Sequence, residues 1–115
     1  MSTNSFVVKD GSLFIGDRRL ELPYPVEDVV ECKGVIVVRI EPPAGVIFNR
    51  NVFAFTAQGD SLWQIEESPH GTEKDKPYVG ILLSQEGSLV VANWIGVDYL
   101  VNIQSGSVTA KAFNK

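Results

Sequence analysis

The stretch Asn51 to Glu67, NVFAFTAQGDSLWQIEE, decides how the rest of the chain is read. It holds a run ending near Thr56, a tight turn through Ala57-Gln58-Gly59-Asp60, and a second run from Ser61 through Trp63 and Ile65. The first run is aromatic and β-branched, which suits a pleated, half-buried surface. Gly59 supplies a residue that takes φ > 0 where the chain reverses. A weaker copy follows at Asp98-Tyr99-Leu100-Val101-Asn102-Ile103-Gln104-Ser105-Gly106-Ser107-Val108. This pattern speaks to architecture and says little about chemistry.

Upstream, residues 5–22 read as a short hairpin or meander. Phe6-Val7-Val8 leads into the turn signal Asp10-Gly11, and Leu13-Phe14-Ile15 leads into Gly16-Asp17-Arg18-Arg19 and then Leu20-Glu21-Leu22. Pro23-Tyr24-Pro25 excludes helix and favours an extended connector. Val26 to Val30 begins the next strand, with Glu31-Cys32-Lys33-Gly34 as a turn or its approach. Val35 to Ile40 (VIVVRI) is nearly continuous and β-branched, the pattern of a strand covered on both faces. Glu41-Pro42-Pro43-Ala44-Gly45 stops it.

Downstream, residues 66–77 (EESPHGTEKDKP) are the most polar segment and read as an exposed loop. Tyr78 to Leu83 and Ser88 to Ile95 resume strand character around Ser84-Gln85-Glu86-Gly87. Val97, Tyr99, Val101 and Ile103 alternate with their neighbours at period two, and a final strand is expected from Ser107 to about Phe113. No stretch sustains a helical period. The expectation is an all-β chain of ten or eleven antiparallel strands with essentially no helix: two four-stranded, blade-like sheets plus a short amino-terminal hairpin.

Residues 26–66 and 78–113 form two halves of the same kind. Each has four strands in sequence, a glycine near the first turn (Gly34, Gly87) and the third (Gly59, Gly106), and an aromatic in the third strand (Phe53, Tyr99). A self-similar four-stranded unit of about 40–50 residues is the signature of a propeller blade. Ala54-Phe55-Thr56-Ala57-Gln58-Gly59-Asp60-Ser61-Leu62-Trp63 resembles the blade repeat of the pyrroloquinoline-quinone-type (quinoprotein-like) β-propellers. Ala54, Gly59 and Trp63 match that repeat, Thr56 stands where aspartate is usual, and the second copy keeps only Tyr99 and Gly106, with Thr109 or a neighbour in the tryptophan's place. The resemblance implies that the tryptophan packs between blades. It implies fold and not activity, because the family's quinone chemistry needs a complete large propeller with cofactor and metal. Two blades and a fragment cannot close about four or more blades into a ring. Either the sheets stack as a sandwich-like pair, or their open ends meet another copy.

The chain's 115 residues suit one domain, and a composition 44% hydrophobic and 21% charged suits a globular one. A net charge of −4 argues against nucleic acid, whose phosphates need a basic face. The single cysteine, Cys32, excludes an intrachain disulfide and a cysteine zinc cluster. The polar start MSTNS resembles no secretory leader, and no apolar run approaches the ~20 residues that span a bilayer. A soluble, cytoplasmic protein with no membrane or nucleic-acid partner is expected.

Chemistry-bearing residues are sparse. His70, the only histidine, lies in the polar loop near Glu66, Glu67, Glu73 and Asp75, where it reads as a general base, a metal ligand or a solvated loop residue. Cys32 lacks a nearby histidine to activate it and reads as a structural thiol. Glu27 and Asp28 point to opposite faces of a strand and cannot act together. Phosphate-cradling glycine loops and a serine elbow are absent. Trp63 reads as packing between sheets. Trp94 and Tyr99 are candidates for a sugar or protein contact, and Asn49-Arg50-Asn51 is a second candidate patch. No catalytic residue, metal or cofactor is expected. The sequence supports a non-catalytic protein-interaction module, self-associating or inhibitor- or immunity-like, with a small-ligand or carbohydrate-binding domain as the alternative. Binding would rest on Trp94, Tyr99, Asn49, Arg50 and His70.

Overall fold

The computed structural model describes residues 6–70 and 74–111. These form eleven strands: β1 (Phe6–Lys9), β2 (Ser12–Ile15), β3 (Arg18–Leu20), β4 (Val26–Cys32), β5 (Val35–Ile40), β6 (Val52–Phe55), β7 (Ser61–Gln64), β8 (Tyr78–Leu83), β9 (Leu89–Asn93), β10 (Asp98–Val101) and β11 (Val108–Ala110). There is no helix among the described residues. The strands make three antiparallel sheets, each a simple meander: β1-β2-β3, β4-β5-β6-β7 and β8-β9-β10-β11. The amino-terminal unit is thus a three-stranded sheet. The expected end of the last strand near Phe113 lies outside the described residues.

Local chemistry sets the meanders. Asp10-Gly11 (φ 53° and 78°) and Lys33-Gly34 (φ 52° and 82°) close two-residue hairpins with both central residues left-handed. That geometry matches the right-handed twist of the flanking strands. The turns after β6 and β10 are longer. In the first, Thr56 N–H donates to Asp60 O, and Thr56 Oγ1 accepts from the amides of Gln58 and Asp60. In the second, Asn102 N–H donates to Ser107 O, and Asn102 Oδ1 accepts from Gln104 and Ser105.

The second and third sheets repeat each other down to an irregularity. Both first strands slip register at the same place, between Val26 and Asp28 in β4 and between Tyr78 and Gly80 in β8. Beyond that bulge Val29 faces Val38 as Ile81 faces Val91, and Val30 faces Val37 as Leu82 faces Val90.

The middle sheet is covered on both faces, as VIVVRI predicts. Ile36, Val38 and Ile40 pack with Leu13, Ile15 and Leu20 of the first sheet. On the other side Val37, Val52, Ala54 and Trp63 pack with Ile81, Leu89, Val91 and Tyr99 of the third. Arg39 alone breaks the apolar run of β5; it is buried but paired with Asp28 (2.7 Å) and Glu41 (2.8 Å). The second and third sheets come nearest, backbone to backbone, at their first strands β4 and β8. The last strand of the second is joined to the turn between β10 and β11 of the third by a long side chain.

That side chain is Trp63. Its Nε1–H donates to Ile103 O at 2.8 Å, and its ring covers Gly106 so closely that a Cβ there would lie 2.6 Å from Cε3. The first two sheets use the same device. Arg18, on β3, donates from Nη1 to Gln58 O at 2.9 Å and lies over Gly59, where a Cβ would sit 3.2 Å from that nitrogen. In each seam the last strand of one sheet sends a hydrogen-bond donor onto the glycine turn of the next.

Candidate functional site

Two features stand out against this repeat. The first is a buried polar cluster where the segment after β7 crosses to the third sheet. The middle sheet has Ile40 and Phe53 at the positions where the third sheet has Asn93 and Tyr99. Tyr99 is fully buried, and its hydroxyl lies 2.8 Å from His70 Nδ1, 3.0 Å from Ser68 Oγ and 3.0 Å from Asn93 Nδ2. Asn93 Nδ2 also donates to Ser68 Oγ at 3.3 Å. Asn93 Oδ1 accepts from the amides of Ile95 and Val97, which fixes the turn after β9. The rings of His70 and Tyr99 stack at 5.6 Å.

The buried part of this cluster is closed, while His70 itself is exposed. Among the described residues no buried side-chain polar atom lacks a partner, and no three His, Cys, Asp or Glu side chains converge as metal ligands. A satisfied buried network specifies one packing and holds a segment down. Here it holds residues 66–70, helped by the Tyr78 hydroxyl donating to Glu66 O at 2.7 Å and Val108 N–H donating to Glu66 Oε1 at 2.8 Å. Burial, reinforced by Tyr99, Glu66 and Glu67, pushes the Tyr78 phenol far above its ordinary value of 10.0.

The structure therefore changes the reading of His70. Sequence composition suggests a loop side chain among carboxylates, whereas the imidazole is bonded to Tyr99. Glu73, one of those carboxylates, lies outside the described residues. Tyr99 is a hub of the interior and offers no exposed ring. Asn49 bridges the loop ends: Nδ2 donates to Glu67 Oε2 and Lys74 O, and Oδ1 accepts from Lys76 N–H. Arg50 donates to the carbonyls of Ile65 and Gln64. Asn51, fully buried, exchanges hydrogen bonds with both backbone groups of Tyr78 and donates to Ile40 O. Trp94 sits half-buried in the turn after β9, beside the exposed Ile95. Of the five binding candidates, only His70 and Tyr99 touch each other through their side chains. Sequence reasoning missed Ser68 and Asn93; the signal was an asparagine closing the apolar run SLVVAN.

The second feature is the outward face of the third sheet. Cross-strand partners point to the same side of a sheet. The row Leu82, Val90, Leu100 and Thr109 therefore faces away from the middle sheet. Leu82 is 51% and Leu100 40% exposed, while Val90 is shielded between them. Position by position this row corresponds to Val30, Val37, Ala54 and Trp63, the face of the middle sheet that the third sheet covers. The third sheet thus carries the counterpart of a packing face with nothing described upon it.

The family described as a domain of unknown function, DUF7957, matches residues 3–113. The chain belongs to that family. Compared with curated proteins and with solved structures, it matches none. Among the described residues no helix is long and apolar enough to cross a membrane.

Proposed function

We propose that this member of DUF7957 is a non-catalytic protein-interaction module whose working surface is the outward face of β8-β11. One observation carries the reading: with no sheet of the described residues packed on it, the third sheet presents the position-for-position equivalent of a face that is covered elsewhere in the same chain. An apolar sheet face of this kind marks a place where another protein packs. The polar cluster supports the same reading from the other side. Its buried donors and acceptors are spent on one another and on backbone, and of its four residues only His70 is exposed.

The blade-like reading of the sequence accords with this proposal. The Trp63 indole packs between successive sheets, and the open end of the series is a sheet face. No cofactor is assigned. The inhibitor- or immunity-like reading is one form of the same proposal, in which the face covers a foreign protein.

The test compares capture of proteins, from the cells that make it, by the wild-type chain and by a Leu82→Asp, Leu100→Asp variant. The expected result is a defined set of proteins retained by the first and lost by the second, with thermal melting unchanged. Identical capture by both would overturn the proposal. So would quenching of tryptophan fluorescence by added sugars that Trp94→Ala removes, since that result assigns binding to the Trp94 corner.

A further inference from the structure

We infer that the outward face of the third sheet receives the outward face of the first sheet of a second copy, head to tail. This inference rests on the interaction reading above and names its occupant. The contact would extend the series that already runs through the chain. Within the chain the following face of one sheet takes the preceding face of the next, twice. The third sheet's following face and the first sheet's preceding face are the two left over.

Their chemistry matches when the first sheet is set in the orientation the other sheets share. Its outward face is given by the register of β1, β2 and β3: Val7, Phe14 and Arg19 form one row, with Lys9 opposite Ser12 in the next. Val7 is 56% exposed. With the turn ends aligned as in the seams above, the Val7 and Phe14 row comes over Val90 and Leu100, apolar on apolar. The next row of the first sheet carries Lys9 and Glu21, and the next row of the third carries Asp98 and Lys111, whose backbones are bonded to each other. Opposite charges are available in both directions. The receiving turn is open as well: a Cβ on Gly16 would meet nothing within 4 Å, whereas Gly59 and Gly106 are already covered by Arg18 and Trp63.

A contact between two different faces of the same molecule is heterologous, and it closes into a ring if the rotation allows. It also makes a specific demand on variants. Burial of one leucine or valine is worth enough to shift an association midpoint by at least about tenfold. Leu100→Asp and Val7→Asp alter exposed side chains on opposite ends of the series, and an unchanged far-ultraviolet circular dichroism spectrum checks that each variant folds.

The experiment is sedimentation equilibrium of the full chain up to about 1 mM. The wild type is expected to rise from 12.6 kDa to twice that mass or beyond. Leu100→Asp alone and Val7→Asp alone each stay near one chain mass over the range in which the wild type pairs. An equimolar mixture of the two variants recovers the paired mass, because it rebuilds one intact contact from the unmutated faces. If Leu100→Asp blocks pairing while Val7→Asp does not, and mixing rescues nothing, the third sheet pairs with itself and the inference is overturned. A wild type that stays monomeric throughout also overturns it. The capture experiment then decides separately whether the interaction reading stands with a foreign partner.

Discussion

Substituting Gly106 by alanine isolates the contact that ties the last strand of the second sheet to the β10–β11 turn of the third. Two costs combine at that position. Gly106 has φ of 80°, and a left-handed backbone costs an L-residue about 1–2 kcal/mol. The new Cβ would also lie 2.6 Å from Trp63 Cε3 and 2.8 Å from Cδ2, so the indole must move. Moving it breaks the Nε1–H bond to Ile103 O, and a part-buried donor left without a partner costs about 1–3 kcal/mol more. The sum is about 2–5 kcal/mol. Gly34 provides the control, because its φ is 82° and nothing lies within 4 Å of its added Cβ. Gly34→Ala should therefore cost only the backbone part. Thermal melts followed by circular dichroism read the difference at about 4 °C per kcal/mol for a domain of this size. Gly34→Ala is expected to lower the melting temperature by about 4–8 °C and Gly106→Ala by about 8–20 °C. In a Trp63→Leu background the cost of Gly106→Ala should fall to that of Gly34→Ala. Equal costs for the two glycines in the wild type would refute the reasoning.

Other expectations follow from the same geometry. Asn51→Leu removes bonds to Ile40 O and to both backbone groups of Tyr78, and should cost about 3–5 kcal/mol in urea unfolding; a cost below about 1 kcal/mol would contradict the bridging role. Arg18 makes the equivalent of the Trp63 contact, but its side chain is 55% exposed. Arg18→Ala should therefore cost no more than about 1 kcal/mol in the same assay, and a cost near that of Gly106→Ala would show the two seams to be alike in strength. Tyr78 sets an alkaline limit. Its folded phenol titrates far above 10.0, so from that pH upward the unfolded chain loses a proton that the folded chain keeps. Stability is then fully present below pH 10.0 and falls by about 1.4 kcal/mol per pH unit above it. Tyr78→Phe should flatten that slope by about the same amount, and an unchanged slope would count against the burial of this hydroxyl.

Much of the fold was legible because turns and strands announce themselves locally. Asp10-Gly11, Gly34, Gly59, Gly87 and Gly106 each mark a reversal, and each has positive φ. The nearly continuous VIVVRI reported coverage on two faces, which Ile36, Val37, Val38 and Ile40 show. The same logic misleads for YVGILL in β8. Its apolar residues also run through both faces, yet Val79 and Leu82 stay exposed. Composition of a strand states what a face could bury against and not whether that partner is in the same chain. The polar cluster was hidden for a different reason. His70, Ser68, Asn93 and Tyr99 are spread over three segments, and only the meander of the third sheet brings them within hydrogen-bond distance. Asn49, Arg50 and Asn51 looked like a contact patch because three polar side chains in a row invite that reading. Most of their donors turn out to hold backbone carbonyls: Lys74 for Asn49, Gln64 and Ile65 for Arg50, Ile40 and Tyr78 for Asn51.

The central claim is that the exposed sheet face, and not the histidine corner, meets other proteins. A photo-crosslinking amino acid placed at Leu82, and separately at His70, tests it most directly in living cells. The account predicts protein adducts from position 82 and none above background from position 70. Adducts from position 70 with none from position 82 would contradict it.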